Sequence, residues 1–244
     1  MDKIKQLQEI LQNSKNIVFF GGAGVSTESG IPDFRSKDGL YNQKFDYPPE
    51  VILSHDFFFE HTKEFYDFYF SKMLDLSIKP NDAHKQLAKW EQLGKVKAIV
   101  TQNIDGLHQL AGSKLVYELH GTVHKNRCTQ CNKFYSAEQI LKFKGRGLPK
   151  CSCGGIIKPE VVLYNEGLDS ATINGAVQAI ASADTLIVAG TSLTVYPAAG
   201  LIDYFRGKHL IVINRDATSR DSRADLVIHE PVGKTLAQIH LEKA

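Results

Sequence analysis

Four cysteines fall in two close pairs, Cys128-x2-Cys131 and Cys151-x-Cys153, with 19 residues between the pairs. Thiolates grouped this way match a tetrahedral structural zinc site, and Gly154 and Gly155 let the backbone adapt to the shorter second spacing. Zinc with four cysteine ligands has no open coordination position, so it would staple a module rather than catalyse. Acid–base chemistry points to His120, which precedes Gly121 at the end of an apolar run. An imidazole with a pKa of about 6.5 suits a general base near neutral pH, although a lone histidine is also a common structural residue. Gly22-Ala23-Gly24, after the apolar run Ile17 to Phe20, has the form of a phosphate-binding turn. Glycines let the backbone approach a pyrophosphate, and a following helix start offers N–H donors. Ser26 and Thr27 can add hydroxyls. A second polar cluster, Gln102, Asn103 and Asp105, follows Ala98-Ile99-Val100; the plainer reading is a helix cap. Two more such ends are Gly190-Thr191-Ser192 and Asn214-Arg215-Asp216, where Asn214 or Asp216 can meet a ribose hydroxyl.

These residues need strands to carry them. Short apolar runs at Ile17 to Phe20, Val96 to Val100, Val116 to Leu119, Leu186 to Ala189 and Leu210 to Ile213 predict buried strands. Helical spacing predicts helices over 2–13, 82–93, 169–182, 195–206 and 233–242. That alternation predicts an α/β fold: a Rossmann-like doubly wound parallel sheet. Two insertions interrupt it. Residues 41–80 are aromatic, with helical periodicity from about His55 to Leu76, and residues 121–158 hold the cysteines. The expected organisation is a discontinuous nucleotide-binding domain (1–40, 81–120 and 159–244) and a small domain (41–80 and 121–158). In an open sheet, ligands sit at the carboxyl ends of the strands, where the polar clusters fall. The turn departs from hydride-transfer enzymes. Thr27 stands at the third glycine position, Pro32 should deflect a helix, and no acidic residue closes a second strand at the usual distance. The segment with Phe34 and Arg35 can instead fold over a cofactor; alone, core packing and a surface ion pair are the simpler roles.

The 244 residues are 43% hydrophobic and 23% charged, proportions of an ordinary globular chain. A net charge of +2 predicts no bulk attraction to nucleic acid or membrane. The basic stretch Lys142, Lys144, Arg146 and Lys150 reads as solvated surface, or as a guide for acidic protein substrates. No apolar run approaches the ~18–20 residues of a membrane span. The N-terminus lacks a secretory pattern, so a cytoplasmic, reducing location is expected and metal ligation is favoured over disulfides.

Taken together, Gly22-Ala23-Gly24-Val25-Ser26, Gly30-Ile31-Pro32-Asp33-Phe34-Arg35, Thr101-Gln102-Asn103-Ile104-Asp105, His120-Gly121, the cysteine quartet and Gly190-Thr191-Ser192-Leu193 closely resemble the sirtuin family of NAD-dependent protein deacylases, in its compact bacterial form. The resemblance spans essentially the whole chain. It implies NAD as co-substrate, structural zinc on Cys128, Cys131, Cys151 and Cys153, and a monomer acting on acetyl-lysine proteins. It implies NAD contacts from Ala23, Thr27, Phe34, Arg35, Gln102, Ile104, Asp105, Thr191, Ser192 and Asn214. Ile104 and Asp105 would hold the carboxamide, and Phe34 would shield the ribose. His120 and Asn103 would be the catalytic pair, with His120 the base that deprotonates a ribose hydroxyl. The acyl group would pass to ADP-ribose with loss of nicotinamide. Val161, Val162 and Tyr164 would form the peptide-binding segment, to which an extended substrate adds as a strand.

The segment departs from the family in Tyr164-Asn165-Glu166, where Phe-Gly-Glu is common. Tyr164 keeps an aromatic wall and adds a hydroxyl; Asn165 tolerates a positive φ. Succinyl-preferring members carry Tyr-x-x-Arg on the helical insertion; here Tyr66 is followed by Tyr69. Without that cation an acidic acyl group is poorly neutralised, so acetyl is expected, with longer neutral acyl chains as an alternative. Mono-ADP-ribosyl transfer is the other alternative; a hydride-transfer dehydrogenase and a zinc-ribbon nucleic-acid binder fit the residues less well.

Overall fold

The computed structural model describes residues 2–34 and 39–243. Its larger unit is a six-stranded sheet of β1 (Ile17–Gly21), β2 (Val96–Thr101), β3 (Val116–Glu118), β7 (Thr185–Ala189), β8 (His209–Ile213) and β9 (Leu226–Ile228), in the order β3-β2-β1-β7-β8-β9. Every pairing is parallel. This is the doubly wound arrangement, and the strand order reverses between β1 and β7. Both strands are buried at all five positions because helices cover both faces. The pleat divides the core: Ile17 and Phe19 join a cluster with Leu7, Leu11, Trp90 and Leu236, while Val18 and Phe20 join Ala176, Ile180 and Leu201 on the opposite face.

Helices α1 (Lys3–Asn13) and α5 (Asp82–Gln92) supply the first face, and α8 (Ser170–Ser182) the second. Each begins at a side-chain cap, Asp2, Asn81 or Asp169. Lys95 is buried and donates to the carbonyls of Gln12 and Ser14, which satisfies the C-terminal end of α1.

The smaller unit joins α2 (Pro49–Ile52), α3 (His55–Glu60) and α4 (Thr62–Phe68) to the antiparallel sheet β5-β4-β6, formed by β4 (Gly121–Cys128), β5 (Phe134–Ser136) and β6 (Ile157–Val161). One cluster fills it, with Phe58, Phe65, Tyr66, Tyr69, Val123, Ile140 and Ile157 buried. Phe58 meets Phe65 edge to face at 4.9 Å. The helical stretch expected from His55 to Leu76 is broken. His61 leaves helical geometry (φ −128°, ψ 48°), and Tyr69–Met73 is a π-helical turn that keeps Tyr66, Tyr69 and Phe70 buried together.

Other expected helices are shorter. Over 195–206 only a 3-10 segment, Ala198–Tyr204, forms after Pro197, and over 233–242 only α9 (Val232–Leu236). Among the described residues no helix is long and apolar enough to cross a membrane.

Candidate active site

The site lies at the carboxyl ends of β1, β2, β3 and β7. Leaving β1, Gly22 N donates to Ala189 O (3.1 Å) and Gly24 N to Gly190 O (2.8 Å). A Cβ on Gly22 would stand 2.8 Å from Thr191 Cβ, and Gly190 has φ +58°. The two strand ends are therefore pressed together at the point where the sheet order reverses, the crevice in which doubly wound folds take dinucleotides. No long helix follows. Two 3-10 turns, Ala23–Val25 and Thr27–Ser29, replace it, as Pro32 and the missing third glycine led one to expect. Asn81 Nδ2 anchors the turn by donating to Val25 O (2.8 Å).

The polar loop after β2 faces this turn. Ser26 Oγ donates to Asp105 Oδ2 (2.7 Å), Asn103 Nδ2 donates to Ser26 Oγ (3.1 Å), and Leu107 N donates to Asp105 Oδ1 (2.9 Å). The N-cap of the next short helix (Leu107–Leu110) is Gly106, so Asp105 does not cap it but accepts from its first N–H, while its second oxygen and Asn103 meet Ser26 in the site. Gln102 accepts at Oε1 from Thr191 Oγ1 (3.0 Å), while its buried Nε2 has no partner among the described residues. An unpartnered buried amide is costly and fits a ligand that accepts from it. The crowded glycine turn and this amide together fit a dinucleotide.

His120 Nδ1 lies 3.0 Å from Gln102 O. A carbonyl can only accept, so Nδ1 carries the proton and Nε2 keeps its lone pair. Burial pushes the imidazole pKa below its ordinary value of 6.5, against a smaller upward pull from the Gln102 carbonyl. The ring is therefore neutral at pH 7, in the tautomer a base requires.

The segment after β6 closes the other side. Val162 N donates to His120 O (2.9 Å), Tyr164 N to Leu53 O (2.9 Å), and His55 N to Tyr164 O (2.9 Å). Asn165 has φ +72°. Glu166 accepts from Leu163 N (2.9 Å), Lys158 Nζ (3.0 Å) and His55 Nδ1 (2.9 Å). Burial raises the Glu166 carboxyl, but these bonds outweigh it and hold its pKa below the usual carboxylate range. Phe34 and Ile104 pack on the small unit's cluster, and Phe34 meets Tyr41 edge to face at 5.6 Å.

The outlying residues are less tightly held. Ser192 is exposed and bonds Thr194, and Asn214 Nδ2 donates to Asp216 O (2.7 Å). Thr27 Oγ1 donates to Gly24 O (3.0 Å) and accepts from Arg215 (2.9 Å). Arg215 had no assigned role in the sequence; the hint was a hydroxyl at the third glycine position, which needs a partner. Arg35 lies outside the described residues.

The four cysteine Sγ atoms lie within 4.8 Å of one another, with Cys128–Cys153 at 3.4 Å and Cys131–Cys151 at 3.6 Å, and none is in a disulfide. A tetrahedron with Zn–S of about 2.3 Å has edges of about 3.8 Å, so the residues fit zinc. Tyr135 hydroxyl donates to Cys151 Sγ (3.0 Å), an outer-shell bond to a ligand atom.

The Sir2 family model matches residues 22–197. The NAD-dependent protein deacetylase of Clostridium acetobutylicum is 60% identical over 242 residues, which is 98% of each chain. A Sir2 complex with deacetylated p53 peptide and 3'-O-acetyl ADP ribose has a TM-score of 0.90 at 37% identity, covering 96% of both chains. A Sir2–p53 peptide–NAD+ complex has a TM-score of 0.86 at 39% identity, covering 96% of this chain and 95% of that one.

Proposed function

The chain belongs to the Sir2 (sirtuin) family, and from that premise we propose that it is an NAD-dependent protein lysine deacetylase, transferring acetyl from acetyl-lysine to ADP-ribose and releasing nicotinamide. The observation that carries the reading at the residue level is His120, half-buried, neutral, and fixed through Nδ1 on Gln102 O with Nε2 free to accept.

Bound in the crevice, NAD supplies a nicotinamide–ribose bond whose cleavage leaves an electrophilic ribose carbon. Ala23, Thr27, Phe34 and Arg35 would contact the dinucleotide, and Thr191, Ser192 and Asn214 would bind its phosphates or adenosine ribose. Gln102 and Asn103 border the reactive ribose. Ile104 and Asp105 hold the carboxamide, with Asp105 oriented by Ser26 and Leu107 N. His120 Nε2 would take the proton of a ribose hydroxyl as that oxygen bonds the acyl carbon and the lysine amine leaves, the acyl oxygen having first bonded the ribose carbon that nicotinamide vacated. Phe34, Ile104 and Tyr164 exclude water. Val161, Val162 and Tyr164 receive the peptide. Cys128, Cys131, Cys151 and Cys153 hold zinc as a structural ion. The protein acts as a monomer in the cytoplasm on protein substrates, without nucleic acid or membrane.

Acetyl is the favoured acyl group. Tyr66 and Tyr69 are 2% and 1% exposed. Tyr66 spends its hydroxyl on Ile157 O, and Tyr69 stacks on Phe65 at 5.7 Å. Neither offers charge to an acidic acyl group, so succinyl-peptide turnover faster than acetyl would overturn this preference.

The decisive assay is nicotinamide release from NAD. Release is expected only with acetyl-lysine peptide, and His120→Ala should bind NAD yet lose about 10²-fold or more in deacetylation. Full activity in that variant would remove His120 from its role.

A further inference from the structure

Tyr164 is where the peptide-binding segment departs from its family, and its added hydroxyl has a partner. Tyr41 Oη lies 2.6 Å from Tyr164 Oη. Both rings hang from fixed backbone. Tyr164 N donates to Leu53 O and its carbonyl accepts from His55 N, each at 2.9 Å, so helices of the small unit hold it from both sides. Tyr41 N donates to Phe34 O (2.9 Å), Leu40 N donates to Asp33 O (2.8 Å), and the Tyr41 ring meets Phe34 at 64°. One phenol therefore belongs to the wall assigned to acyl-lysine, and the other to the backbone pair that carries Phe34 on the dinucleotide side. Tyr164 is 38% exposed, so water can replace a lost partner and the bond's net worth is modest.

We propose that Tyr41 and Tyr164 are a positioning pair whose hydroxyl–hydroxyl bond couples the two ligands: acyl-lysine packed on the Tyr164 ring fixes the phenol that holds Tyr41, and through it Phe34, against the dinucleotide. The proposal rests on the functional reading above. Because binding linkage is reciprocal, peptide tightens dinucleotide binding by the same factor by which dinucleotide tightens peptide binding. A phenylalanine at 164 keeps the wall and loses the coupling.

The test uses ADP-ribose, which has no bond to nicotinamide to cleave. Calorimetry measures its affinity with and without acetyl-lysine peptide in the wild type, Tyr164→Phe, Tyr41→Phe and the double variant. The readout is the ratio of the two affinities within each protein, so a shifted baseline cancels. Each single variant is expected to lose about fivefold of the wild-type ratio, the worth of one hydrogen bond, and the double variant no more than either single. An undiminished ratio in Tyr164→Phe overturns the proposal. So does a double variant whose loss is the product of the single losses, because the hydroxyls then act independently. Wild-type protein that releases no nicotinamide with acetyl-lysine peptide refutes the functional reading itself, whereas active protein with coupling intact in Tyr164→Phe refutes only the pair.

Discussion

The role proposed for His120 as a base rests on where its other nitrogen goes. Its pKa is depressed by burial, so the neutral form persists to lower pH than in free imidazole. The pH profile of kcat/KM is expected to be flat through pH 7 and to fall only below 6.5; an inflection above 6.5 assigned to a group that must lose a proton would contradict the assignment. Glu166 makes a second residue-scale prediction. Its carboxylate gathers Leu163 N, Lys158 and His55, and Lys158 also donates to Val161 O (3.1 Å), so one side chain sets the shape of the segment proposed to bind peptide. Glu166→Gln, which replaces an acceptor with a donor facing Lys158, is expected to raise peptide KM several-fold and leave kcat within about twofold. A kcat loss at unchanged KM would show that the segment is not its target. The cysteine cluster was legible in the sequence because residue type and local spacing announce it. Arg215 and Tyr41 were not. Thr27 and Arg215 meet across 188 positions, and Tyr41 and Tyr164 across 123, distances over which a single sequence carries no signal.

Among the elements, legibility followed burial. Strands β1, β2, β7 and β8 read as apolar runs because helices cover them on both faces. The three-stranded sheet was hidden: β4 carries His124, Lys125 and Arg127, and β5 has three residues, so neither shows a clean alternation. Three-residue β9 was hidden as well. The thiolates compensate for that weak local signal. Cys128 ends β4, Cys131 sits in the turn before β5, and Cys151 and Cys153 precede β6, so one ion held by the four thiolates would tie the ends of all three strands. Removing zinc with a strong chelator is expected to melt the β4–β5–β6 sheet and lower Tm, while the parallel sheet keeps its far-UV signature. A Tm unchanged by chelation, with zinc loss verified by a colorimetric indicator, would refute a structural ion.

At the scale of the molecule, three histidines are placed so that protonation opposes folding. His108 is fully buried with neither ring nitrogen partnered among the described residues, and His84 packs on it at 4.7 Å. Burial pushes His84 down to about 4, with a smaller upward pull from Asp105, and lowers His108 and His120 as well. Folded pKa values lie below the unfolded one, so between them the unfolded chain binds more protons. Stability is full above 6.5 and is lost as pH falls. His84 alone is worth on the order of 3 kcal/mol by pH 4. Urea midpoints are expected to fall steadily from pH 6.5 to 4, and His84→Asn to flatten that slope; an equal slope in the variant would place the titration elsewhere.

The imidazole of His120 leans on a main-chain carbonyl, where a Ser-His-Asp triad would set a carboxylate. Among the described residues no carboxylate partners the ring, so an imidazolium formed in the proposed turnover would be a brief guest. It would have to shed its proton promptly, and the half-buried ring would reload for the next cycle with only that carbonyl behind it.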